Sequence, residues 1–165
     1  MKFKEIPQVT RANYQVNVPW DSLKDCLKRY EENYKFNLNP DFQRNFVWTV
    51  EQQIAYVEYI LKGGISGRDI LFNHPNWMGS FAGSLVIVDG KQRIKAVSDF
   101  LDDKIYVFGH KYSEYTDRLT SGTDFIFHIN NLKKKNDVLQ WYIDLNTGGT
   151  VHTVEEIKKV EKLKI

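Results

Sequence analysis

The stretch Ser84-Leu85-Val86-Ile87-Val88-Asp89-Gly90-Lys91-Gln92-Arg93-Ile94-Lys95 decides how this chain is read. Four consecutive apolar residues, Leu85 to Val88, suit a strand covered on both faces. Asp89-Gly90 then signals a turn. Beyond it the apolar spacing becomes helical, with Ile94, Val97 and Leu101 on one face. Such a strand-turn-helix junction leaves backbone N–H groups free at the helix start, where an anion can sit. Lys91, Arg93 and Lys95 bring positive charge to the same place. A purely structural reading stands beside this one. Asp89 is a good N-cap, Gln92 completes a capping-box pattern, and the basic residues then only solvate a helix face.

Upstream, Leu38-Asn39-Pro40-Asp41-Phe42-Gln43-Arg44-Asn45-Phe46-Val47-Trp48 alternates large apolar groups with polar ones after an Asn-Pro-Asp turn signal. Arg44 reads locally as a surface arginine packed over Trp48. Thr49 caps the next helix with Gln52 in the capping-box position, and Gly63-Gly64 stops it. Before this segment, Ile6 to Val18 predicts one or two short strands, and Trp20 to about Glu32 a helix that carries Cys26. Asp69 to His74 reads as a strand and Pro75 to Gly83 as a loop. Downstream, the central helix ends near Asp102-Asp103 and Ile105 to Phe108 predicts a short strand. Gly109 to Gly122 is irregular. Thr123 to Asn130 alternates Phe125, Phe127 and Ile129, which predicts a further strand. Lys133-Lys134-Lys135 reads as a solvated turn or a phosphate contact. Asp137 to Leu145 is helical, and Thr153 opens a last helix with Glu156 in the capping-box position.

The 165 residues suit one domain with a proper core. A 42% hydrophobic and 27% charged composition is that of a globular chain. No apolar run approaches the ~20 residues of a membrane span, and the N-terminus lacks the apolar centre of a signal peptide. The single cysteine excludes an internal disulfide and a cysteine-built zinc site. Together these point to the cytoplasm. A net charge of +2 is too small to announce nucleic acid by itself. His74, His110, His128 and His152 lack metal-ligand spacing, and no phosphate-loop or nucleophile-elbow motif is present. Asp41, Asp89 and Asp144 are candidates to meet around Mg²⁺, although their spacing does not require it.

Three segments in this order resemble one family: Pro40 to Trp48, then Val88-Asp89-Gly90-Lys91-Gln92-Arg93, then Tyr142-Ile143-Asp144-Leu145-Asn146-Thr147-Gly148-Gly149. Together they are similar to the N-terminal domain of GmrSD-type, modification-dependent restriction proteins, within the wider ParB/sulfiredoxin-like group. The resemblance runs from about residue 37 to the last helix. It implies an α+β fold, compact, with a small mixed sheet flanked by helices. It also implies that the Asp-Gly-x-Gln-Arg turn binds nucleotide phosphates and supports NTP hydrolysis with Mg²⁺. In that reading Asp89 holds Mg²⁺ or orients water, and Gly90 lets the backbone approach phosphate. Gln92 and Arg93 contact phosphate oxygens. Gln43 and Arg44 enter the same cleft, Lys91 binds phosphate, and Asn146 lines the other wall.

Two positions depart from the family pattern. Lys91 replaces the first Gln of the motif, which changes both geometry and charge. It also disfavours sulfiredoxin chemistry, which needs a cysteine in that turn. Tyr142 stands where the family has Phe. The HNH-type nuclease region of full-length relatives has no counterpart in these residues, so DNA cleavage is less expected than nucleotide or DNA binding. The leading expectation is a nucleotide- or DNA-phosphate-binding domain with NTPase or nuclease activity, in bacterial or phage defence or counter-defence. The competing one is a non-catalytic DNA- or protein-binding module, such as a phage-encoded inhibitor of a host protein. A third is an interaction domain whose motif is only a helix cap.

Overall fold

The computed structural model describes residues 2–6, 14–147 and 154–163, with backbone alone at residue 4 and at 154–157. Alternating apolar residues build a four-stranded sheet from β1 (Tyr14–Pro19), β2 (Asp69–Asn73), β3 (Val86–Asp89) and β4 (Asp124–Asn130). The order is β1-β4-β2-β3. β4 runs antiparallel to β1 and parallel to β2, while β2 and β3 are antiparallel. The sheet is therefore mixed, as expected for the α+β class.

Period two sends Ile70, Phe72, Phe125, Phe127 and Ile129 to one face. There they meet α1 (Leu23–Tyr34), α2 (Val50–Leu61) and α3 (Lys91–Leu101) through Leu23, Tyr30, Val57, Ile94, Val97 and Phe100. On the other face Leu71, Val86 and Val88 pack with α4 (Lys135–Thr147) and α5 (Val154–Glu161), through Val138, Leu139, Tyr142 and Val160. Each fully buried side chain of this size contributes about 1.5–3 kcal/mol. Cys26 is buried in α1 as a small apolar residue.

The predicted strand at Leu85–Val88 begins one residue later and is indeed covered on both faces. Ile87 and Val88 are fully buried in the two separate clusters. It is nevertheless an edge strand. Its outer edge is closed by side-chain and loop groups: the Gln43 amide donates to the carbonyls of Ile87 and Val88, and the Ile87 N–H donates to the Asn37 carbonyl. Thr49 and Gln52 form the expected capping box of α2.

Asp89 does not cap α3. The N-cap is Gly90, in a left-handed conformation with φ 99° and no side-chain cap. The predicted strand at Ile105–Phe108 is a loop. Pairing there is limited to a bridge between Val107 and His110, because Phe108 at φ 50° and Gly109 at φ 78° reverse the chain at once. Trp20–Ser22 is a 3-10 turn ahead of α1 rather than its first turn. Asn146 and Thr147 belong to α4 instead of ending it. The N-terminal part of the predicted Ile6–Val18 strands, at 7–13, lies outside the described residues. So does the capping box predicted for α5.

Candidate functional site

The two motif segments are brought together and hydrogen-bonded to each other. Lys91 is 4% exposed; its ammonium donates to the Arg44 carbonyl at 2.9 Å and lies 4.7 Å from the centre of the Phe46 ring. Burial pushes its pKa below the ordinary lysine value. Gln92 donates to the Asn45 carbonyl at 3.1 Å and accepts the N–H groups of Val47 at 3.1 Å and Trp48 at 3.3 Å. Its carboxamide is thus turned onto the upstream loop and completes no capping box. Gln43, next to Arg44 in the sequence, ties the same segment to β3. Lys95 also reaches over Phe46, 5.3 Å from the ring centre, and pairs with Asp99.

Beside this web sits an ion pair. The Arg93 guanidinium lies 2.9 Å from Asp89 Oδ2 and donates a second bond to the Asp69 carbonyl. The Arg93 and Asp89 side chains are 23% and 38% exposed, so solvent reaches both. Gly90 is required for two reasons. Its φ is positive, and an added Cβ would stand 2.5 Å from Ile70 Cδ1 and 3.3 Å from Ile70 Cα. The close approach that demands glycine is therefore to β2. Asn146 donates to the Tyr142 carbonyl within α4, and among the described residues it has no bond to the web.

Two further polar groups adjoin Arg93. His128 Nε2 is 2.7 Å from Asp69 Oδ1, and Asp69 is the residue whose carbonyl accepts from Arg93. Sequence reasoning passed over both. The available signal was the phase of β4, where His128 interrupts the buried positions Phe127 and Ile129 and so faces the opposite side.

The three aspartates proposed around Mg²⁺ do not converge. Asp41 pairs with Lys135 at 2.9 Å, Asp144 accepts from Gln140 at 2.8 Å, and Asp89 faces Arg93. Among the described residues, no group of three or more His, Cys, Asp or Glu side chains is arranged to hold a metal ion. Among the described residues, Asp89 Oδ1 has no hydrogen-bond partner. One such carboxylate suits a Mg²⁺ shared with phosphate oxygens and water, not a metal caged by protein.

An edge strand that ends in a left-handed glycine and runs into a helix bearing Lys-Gln-Arg defines the class: an α+β domain with a basic strand-to-helix turn. The family model for the GmrSD restriction endonuclease, N-terminal domain, matches residues 23–161, and the chain belongs to that family. Comparison with curated proteins and with solved structures finds no match. No described helix is long and apolar enough to cross a membrane.

Proposed function

We propose that the domain binds a nucleotide or DNA phosphate at the Asp89–Arg93 turn and hydrolyses NTP with Mg²⁺ in a restriction-type defence system. The observation that carries this reading is the solvent-reachable Arg93–Asp89 pair, held at the end of β3 beside Lys91 and Lys95. Family membership supports the restriction setting and a DNA partner, and the wider ParB-like placement belongs to the same proposal. Arg93 moves from Asp89 to the incoming phosphate and stabilises the charge that builds up during transfer. Asp89, once released, is the residue that would hold Mg²⁺, through its carboxylate. The ion, when bound, supplies charge neutralisation at the phosphate oxygens. Gln92 and Lys91 are positioning residues, because their polar ends are committed to the 44–48 backbone. Gln43 and Arg44 support the same loop. Asn146 is assigned to the far wall of the site by family resemblance alone.

The burial of Lys91 favours a second reading, a binding module without turnover, since that lysine is not available to phosphate in this arrangement. One experiment separates the two. NTP hydrolysis and plasmid nicking are measured with and without Mg²⁺ for the parent protein, Arg93→Ala and the surface control Lys28→Ala. Mg²⁺-dependent turnover lost only in Arg93→Ala supports the enzyme. Salt-sensitive DNA binding with no turnover in any protein supports the module. Equal turnover in all three removes the site from consideration.

A further inference from the structure

A second basic site lies toward the opposite end of β3. A cleft of about 630 Å³ opens between the 37–42 segment, the start of β3 at Val86, and the chain entering α4. Its floor is apolar, from Phe42, Val86 and Val138, and Asn39 and Ser84 stand exposed at its rim. Three consecutive lysines, Lys133 to Lys135, cross its mouth.

The lysines are distributed over the cleft instead of converging on one point. Lys133 donates to the Pro75 carbonyl and to Asn76 Oδ1 on one wall. Lys135 pairs with Asp41 on the other, at 2.9 Å. Both partners of that pair are more than half exposed, 55% and 57%, so it is worth at most about 1 kcal/mol and exchanges readily for a phosphate. The Lys134 carbonyl accepts from Asp137 and Val138 at the start of α4, while its ammonium has no partner among the described residues. Cations spread across two walls match a chain of phosphates better than a single phosphate group. An apolar floor with amide and hydroxyl groups at its rim matches an unstacked base. β3 is four residues long, which is about 10 Å from its first to its last Cα. A few nucleotides of one strand therefore reach from the cleft to the Asp89–Arg93 turn.

We propose that the lysine cleft seats single-stranded nucleic acid, with phosphodiester groups on Lys133, Lys134 and Lys135 and one base over the Phe42–Val86–Val138 floor. This deepens the phosphate-binding reading above and rests on it only for the direction in which the strand continues.

The test is fluorescence anisotropy of a labelled 12-nucleotide single strand across a salt series, with ATP binding measured in parallel. The proteins are the parent chain, Lys134→Glu, the triple variant Lys133→Gln/Lys134→Gln/Lys135→Gln, and Arg93→Ala. Lys134→Glu is expected to weaken oligonucleotide binding about tenfold. Its ammonium bonds nothing among the described residues, so the fold is expected to be retained. The triple variant is expected to lower the slope of log affinity against log salt by about 2, from three contacts at ~0.7 each. Neither change alters ATP binding. The proposal is overturned if Lys134→Glu binds the strand as the parent does, if only Arg93→Ala loses it, if the parent fails to bind at 50 mM salt, or if a duplex of the same sequence binds more tightly. Strand binding lost in the lysine variants but unchanged in Arg93→Ala, in a parent that neither binds nor hydrolyses ATP, retains the cleft and removes the Asp89–Arg93 reading.

Discussion

Gln92 and Val47 meet across 45 residues of sequence, the Gln92 side-chain oxygen accepting the Val47 N–H at 3.1 Å. The same carboxamide accepts from the Trp48 N–H and donates a hydrogen bond to the Asn45 carbonyl. One motif residue therefore fixes the path of the loop that carries the other motif. Gln92→Ala leaves two donors and one acceptor to partial solvation and is expected to cost about 1–2 kcal/mol. Gln92→Glu keeps the acceptor but sets a carboxylate against the Asn45 carbonyl, and is expected to cost at least as much. Urea unfolding checks both. An unchanged midpoint in both variants removes this structural role.

Gly90 is expected to tolerate no side chain. Gly90→Ala meets a left-handed backbone and a 2.5 Å Cβ contact that the buried Ile70 side chain must shift to relieve. A loss of about 2 kcal/mol or more is expected, measured as the fall in the urea midpoint. Ile70→Ala is expected to cost less in the Gly90→Ala background than in the parent, because it also removes the Cβ clash, while the backbone strain at position 90 remains.

Arg93→Lys is expected to be non-conservative for function and mild for stability. A lysine cannot span the Asp89 carboxylate and the Asp69 carbonyl as the guanidinium does. NTP turnover should fall at least about tenfold. Stability should change by no more than about 1 kcal/mol, because the pair is partly exposed and local in sequence. Steady-state kinetics beside thermal unfolding distinguish these outcomes.

Acid is expected to weaken the fold through His74. Its ring is fully buried among Tyr34, Trp77 and Phe81, and its Nδ1 accepts the Asn76 N–H at 3.2 Å. Burial, with the charge of Lys133, holds its pKa below the ordinary 6.5. Below pH 6.5 the unfolded chain takes up a proton that the folded chain refuses, so stability falls as pH falls through that range. His74→Gln should flatten this dependence between pH 7 and 5. An equally steep profile in the variant assigns the loss to other groups.

The local grammar of the chain was readable without coordinates. The Thr49–Gln52 box, the run at Leu85–Val88, the Asp89-Gly90 turn and the alternation of Phe125, Phe127 and Ile129 all describe elements that form. Their signals lie within a few residues, where φ/ψ preference and side-chain period act. The misreadings share one cause. Ile105 and Val107 look like a strand, yet they are two buried anchors of a loop. Asp89 and Gln92 have capping spacing, yet each has a better partner elsewhere: Arg93 for the carboxylate, the 45–48 backbone for the amide. A cap motif shows only that two groups could meet, and tertiary contacts compete for the same donors and acceptors.

The amino-acid order by itself determined the basic turn after a buried strand, as a consequence of periodicity, turn chemistry and residue type. The α+β class and the grouping of the motif segments came from the resemblance to one family. Only the tertiary structure decided that β3 is an edge strand closed by Gln43, that Lys91 is covered by the Arg44–Phe46 loop while Arg93 stays within reach of solvent, and that Asp41 and Asp144 stand apart from Asp89. The reason is physical: neighbouring charges in sequence are equal in type, and which of them remains available is set by distant side chains that bury, pair or hydrogen-bond them.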